Sequence, residues 1–278
     1  MSTCIVWFRK SMRLHDNPAL TAACQDKEVT SILPLFVLDP NLAGRDFEKY
    51  GANRFRFLIE CLNDLDSQLT SKYASKLILV HGEPATVFES IQGKLGRDFD
   101  SLYCEYGSEP YERQCLSSVE ESLIRKDKTI RVKTFSAFQT ILDIEKTISA
   151  PTFKKPKSMK DIQKLFASDL GVDAEGFYQV EDPTPAPTRL KSLPPLSIFN
   201  PTGPSGPLRS YSPAELTGLL PDSLKSEVTL GTSYFQGGET EALSRMRRKV
   251  SGEVDFVNGF RKPKTVSTNG ANDPSEPS

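Results

Sequence analysis

Five short apolar runs, each followed by a stretch with helical character, constrain this chain's fold more than any other feature. They occupy residues 4–8, 30–38, 76–81, 101–106 and 129–134. The second is apolar at nearly every position, as a strand buried on both faces of a parallel sheet must be. The fifth alternates and reads as more solvent-facing. Between the second and third runs, Phe55, Leu58, Leu62, Leu65 and Leu69 step by three and four. That spacing is the core stripe of an amphipathic helix beginning near Asn53. Asp16 or Asn17 can cap an earlier helix, with Pro18 at its first position, and Pro84 and Pro110 open two more. Strands alternating with helices predict an α/β fold, a doubly wound five-stranded parallel sheet over residues 1–148.

Ligands of such sheets bind beyond the strand C-terminal ends, where the strand order reverses. Arg9, Phe36, Arg54 and the loop 107–109 all fall at those ends. Glu109 lies where a helix starts, and the helix macrodipole alone explains a carboxylate there. Familiar catalytic patterns are absent: no GxGxxG, GxxxxGK[ST], GxSxG or HExxH. Asp64 and Asp66 are two apart on a helix and do not face each other. The five cysteines show no CxxC spacing and suit a reduced, intracellular protein better than a disulfide framework. A net charge of −1 gives no general attraction to nucleic acid. Arg9, Lys10 and Arg13 interrupt the first apolar run, so no signal peptide or membrane span is expected.

The stretch from Trp7 to Leu20, WFRKSMRLHDNPAL, resembles the opening of the photolyase/cryptochrome family, nearest its animal-type cryptochrome and (6-4) photolyase branch. Further matches follow in order: GANRFRFL at 51–58, HGEP at 81–84, SEP at 108–110 and GGETEAL at 237–243. The resemblance implies a Rossmann-like antenna domain in which Arg9, Phe36, Arg54 and Glu109 contact an antenna chromophore. It also implies blue-light chemistry by FAD, with a deazaflavin or folate as antenna, and DNA repair or photoreceptor and circadian signalling in a full-length relative. Many such relatives carry an Asp two residues before the Glu-Pro pair, where this chain has Gly107. The lost acceptor predicts weak deazaflavin binding that Gly107→Asp strengthens and Arg54→Ala abolishes.

After Thr134 the likeness drifts, and a His common in the family is missing from the stretch 136–143. Residues 149–236 read as an interdomain connector. Nine of the twenty prolines fall in 183–213, a stretch too poor in apolar periodicity to predict a packed element and expected to be mobile. Residues 237–265 read as the first helix of a truncated FAD-binding domain, and 266–278 as a disordered tail. Two basic clusters, Arg247, Arg248 and Lys249 with Arg261, Lys262 and Lys264, match a bipartite nuclear signal, for which a solvated helix face is the plainer reading. With one tryptophan, Trp7, and two histidines, His15 and His81, no cofactor, photorepair or DNA binding is expected of this chain alone. DNA or clock proteins enter as partners only through the resemblance. The alternatives are a stand-alone small-ligand or nucleotide-binding α/β domain and a protein-interaction module.

Overall fold

The computed structural model describes residues 2–43, 51–136, 142–200, 202, 206–230 and 235–252. The strands are β1 Thr3–Phe8, β2 Ser31–Leu38, β3 Ile78–His81, β4 Phe99–Glu105, β5 Arg131–Phe135 and β6 Ser210–Tyr211. The helices are α1 Pro18–Gln25, α2 Pro40–Ala43, α3 Ala52–Tyr73, α4 Pro84–Leu95, α5 Pro110–Lys126, α6 Ile144–Ser149, α7 Met159–Leu170, α8 Pro213–Leu216, α9 Asp222–Leu230 and α10 Glu239–Met246. The sheet runs β5-β4-β1-β2-β3-β6. The first five strands pair in parallel, and β6 adds antiparallel to β3 through Leu79–Tyr211 and Val80–Ser210.

Alternation along the strands divides the core into two layers. Cys4, Val6 and Phe8 of β1, with Ile32, Phe36 and Leu38 of β2, face the layer that holds Phe55, Leu62, Leu65 and Leu69 of α3. Ile5 and Trp7, with Leu33, Leu35 and Val37, face the layer of Val87, Phe88 and Ile91 of α4 and Val119 and Leu123 of α5. Both faces of β1 and β2 are therefore buried, which is why these strands read as unbroken apolar runs. The strand order steps from β1 through β2 to β3 and then returns to β4 on the other side of β1. The loops leaving β1 and β4 thus run in opposite directions and open a crevice at their C-terminal ends.

Two expectations need correction. The sheet has six strands rather than five, because the proline-rich stretch itself contributes β6. That stretch also packs. Phe199 enters the α4 layer and Tyr211 the α3 layer, exposed by only 6% and 7%. Besides the β6 ladder, its backbone meets the domain at three points. Asp16 N donates to Thr184 O, Ile32 N donates to Ser192 O, and Tyr73 Oη donates to Pro187 O. Prolines forbid a periodic element but leave single anchors and carbonyl acceptors, and these hold the segment against the sheet.

The glycine pair before α10 lies hard against α3. A Cβ on Gly237 would sit 2.5 Å from Phe57 O, and one on Gly238, at φ +118°, 2.7 Å from Asp64 Cβ. This approach delivers Glu239 into the loop after β1. Its buried carboxylate accepts from Leu14 N at 2.9 Å, His15 N at 2.6 Å and Gln68 Nε2 at 3.1 Å. Two stretches more than two hundred residues apart in sequence, RLHDN and GGET, are thereby joined.

Candidate functional site

A cavity of about 300 Å³ opens at the C-terminal ends of β1 and β2. All four residues expected at the strand ends, Arg9, Phe36, Arg54 and Glu109, line it. Its walls are mostly apolar: Trp7, Phe36, Phe57, Leu58 and Tyr111 present flat or branched surface. Charge is confined to a few positions. Arg9 is held rigidly, with Nη1 donating to Glu105 O at 3.1 Å and Nη2 to Glu112 O at 3.2 Å. Its guanidinium stacks 4.7 Å from the centroid of the Trp7 ring. Arg54 stands in the exposed first turn of α3. The other arginine of that helix start, Arg56, turns inward and donates to Val228 O and Glu227 O, tying α3 to α9.

Glu109 is the N-cap of α5 but makes no capping hydrogen bond; its carboxylate goes to Lys10 Nζ at 3.1 Å. Lys10 also pairs with Glu112 Oε1 at 2.6 Å. Burial alone would lower the Lys10 ammonium's pKa, but its hydrogen bonds to Glu112 and Glu109 raise it above the ordinary lysine range. Across the cavity, Tyr111 Oη donates to buried Asp39 Oδ2 at 2.6 Å. Burial first, and that bond second, push the phenol well above the usual tyrosine range. The Cys115 thiol at the cavity edge is pushed up to about 11 by burial, so it is a packing group rather than a nucleophile. Among the described residues no group of His, Cys, Asp and Glu could hold a metal ion.

The position of Gly107 corrects one expectation. A Cβ there would lie 2.5 Å from both Glu112 Cβ and Glu112 Oε2. An Asp at 107 has no room while Glu112 is in place, so Gly107→Asp is not the strengthening change expected above. Glu112, only 3% exposed, was not singled out in the sequence, and neither were Lys10, Asp39 and Tyr111. A carboxylate in the first turn of a helix carries no mark of pointing back toward the preceding loop.

A family model described as DNA photolyase matches residues 4–187. The chain belongs to the DNA photolyase family. Among curated relatives, the (6-4)DNA photolyase of Arabidopsis thaliana is 30% identical over 273 residues, covering 94% of this chain and 43% of that protein. Cryptochrome-1 of Mus musculus is 31% identical over 258 residues, covering 93% and 38%. The chain thus spans less than half the length of these relatives. Among solved structures, a Synechocystis cryptochrome superposes with TM-score 0.62 at 20% identity, over 90% of this chain and 46% of that one. An archaeal photolyase from Sulfolobus tokodaii, solved with two FAD molecules, gives 0.59 at 19% identity, over 92% and 47%. These photolyase-family structures share the fold described above, an α/β sheet with helices on both faces. The family match reaches beyond residue 148, into the stretch assigned to a connector.

The basic residues Arg247, Arg248 and Lys249 continue α10 as a π-helical turn, with Arg248 paired to Glu241 at 2.9 Å. Arg261, Lys262 and Lys264 lie outside the described residues, as does the tail 266–278. No helix among the described residues is long and apolar enough to cross a membrane.

Proposed function

We propose that this chain is the pigment-binding α/β part of a cryptochrome or (6-4) photolyase-like flavoprotein, and that the cavity at the ends of β1 and β2 holds its light-harvesting pigment. The observation that carries this reading is the convergence of Arg9, Phe36, Arg54 and Glu109 on one largely apolar cavity. A pocket of about 300 Å³ is at the small end for ligand sites and suits a single fused-ring system better than a dinucleotide. Stacked Trp7 and Arg9, with Phe36 and Phe57, offer faces to such a ring. Arg54, in the exposed first turn of α3, suits a polar or anionic tail. The pigment supplies only absorption and energy transfer; the protein supplies its orientation. In the whole protein the activity supported is blue-light-driven DNA repair or flavin-based signalling. Both are proposed from relatives more than twice as long as the stretch they share with this chain.

Titration of the purified chain with a deazaflavin, FMN and a folate, followed by pigment fluorescence, tests this. Saturable binding of one of them, weakened at least tenfold by Arg54→Ala, is expected. Binding of none, or binding indifferent to Arg54, would overturn it.

A further inference from the structure

We propose that Glu112 is the acceptor by which this cavity selects a planar ring carrying an edge N–H. The proposal rests on the reading of the cavity as a pigment site and names the feature of the pigment that the site reads.

Three observations meet at this residue. First, Glu112 is buried, at 3% exposure, and is one of the residues lining the cavity. Second, it is only half satisfied: Oε1 pairs with Lys10 Nζ at 2.6 Å, while Oε2 is buried with no hydrogen-bond partner. A buried carboxylate oxygen without a donor is costly, so such groups mark a missing partner. Third, Oε2 lies against Gly107, where a Cβ would approach it to 2.5 Å. The glycine is therefore the space this carboxylate occupies. Gly107 and Glu112 are one arrangement: the acid absent from the loop is supplied from the first turn of α5.

The geometry limits what can answer Oε2. The cavity that Glu112 lines is walled by the flat surfaces of Trp7, Phe36 and Tyr111 and the apolar chains of Leu58 and Cys115. A flexible polar ligand gains little there, whereas an aromatic ring fills the space and can carry a donor on its edge. The terminal torsion of a Glu side chain is soft and roughly two-fold, so Oε2 can turn toward that edge at small cost. Lys10, on a flexible stem, follows the turning carboxylate and stays paired with it, which makes the bond to a ring N–H charge-assisted. A ring of the same shape without the N–H leaves Oε2 as it is now. The difference is one hydrogen bond to a buried ionised acceptor, about tenfold to a hundredfold in affinity.

The test pairs the protein with two probes, riboflavin-type ligands with N3–H and with N3 methylated, and reads dissociation constants from flavin fluorescence. The unmodified chain should prefer the N–H probe by tenfold or more. In Glu112→Ala the preference should vanish, through loss of affinity for the N–H probe alone. Gly107→Asp should bind poorly. The double variant Gly107→Asp, Glu112→Ala has room for the new carboxylate and should recover the preference. Equal affinity of the two probes for the unmodified chain, or an undiminished preference in Glu112→Ala, would sink the role of Glu112 while leaving the pigment site standing. Failure of both probes and of a deazaflavin to bind would overturn the site and the role together. A measurement without ligand stands apart: Gly107→Asp should lower the melting temperature far more in the otherwise unmodified chain than in the Glu112→Ala variant. Equal effects in the two backgrounds would refute the steric exchange.

Discussion

Tyr103 crosses the inner layer of the sheet to donate its hydroxyl to Asp26 Oδ2 at 2.6 Å, just beyond the end of α1. Arg131 reaches the same oxygen at 3.2 Å from β5. The Tyr103 bond first, then the backbone N–H of Glu28, hold the Asp26 carboxyl down to about 2. A depressed carboxyl stabilises the fold fully above its unfolded value of 3.8, and that contribution is lost as pH falls toward 2. Asp26→Asn should therefore lower the urea midpoint at neutral pH and flatten its decline between pH 4 and 2. Midpoints of the two proteins that fall in parallel across that window would refute the assignment. At this scale the sequence was legible only where position alone decides. Arg9, Phe36, Arg54 and Glu109 lie at strand ends or a helix start, and chain order is enough to find them. Asp26 and Tyr103 are 77 residues apart and meet through strand pairing. Glu112 faces Gly107 only because the chain reverses at Glu109. Neither relation leaves a periodic trace.

At the scale of elements, strands and long helices were legible because burial on one or both faces writes a period of two or of three and four into the chain. The proline-rich stretch has no such period, and its packing was correspondingly hidden. Its hold on the domain comes from single residues, Phe199 foremost, lodged among the α4-layer side chains. Phe199→Ala should cost about 3 kcal/mol in urea unfolding, the usual loss for a buried phenylalanine. A linker residue on the surface would lose less than about 0.5 kcal/mol, and a result that small would return the segment to the status of a mobile connector. The Gly237-Gly238-Glu239 corner was legible as a motif but not as a joint. What it does depends on α3 approaching too closely for any Cβ, and on two backbone amides of the β1 loop left for Glu239 to satisfy.

For the whole molecule, the distribution of aromatic and charged groups bears on the proposal that this chain binds a pigment and does no flavin chemistry of its own. The single tryptophan, Trp7, is 4% exposed, packs edge-to-face on Phe88 with centroids 5.0 Å apart, and carries Arg9 over its face. Fixed in the sheet and without a second indole within this chain, it cannot begin a relay of tryptophans toward a flavin. Both histidines belong to the sheet region, and burial holds His81 below the ordinary imidazole value. The net charge is −1, and two of the three cations lining the cavity are already committed, Lys10 to Glu112 and Glu109, Arg9 to backbone carbonyls. Tight DNA binding needs several lysines and arginines set on phosphates, and its salt dependence counts them. The 278-residue chain should therefore bind a duplex bearing a (6-4) lesion no more tightly than undamaged DNA, weaker than about 10⁻⁴ M at physiological salt. Illumination should leave the lesion unrepaired even with FAD and a reductant added. Fluorescence anisotropy on the two duplexes and a lesion-repair assay under blue light measure both. A lesion preference of tenfold, or any light-dependent repair, would mean that these residues do more than the proposed pigment binding.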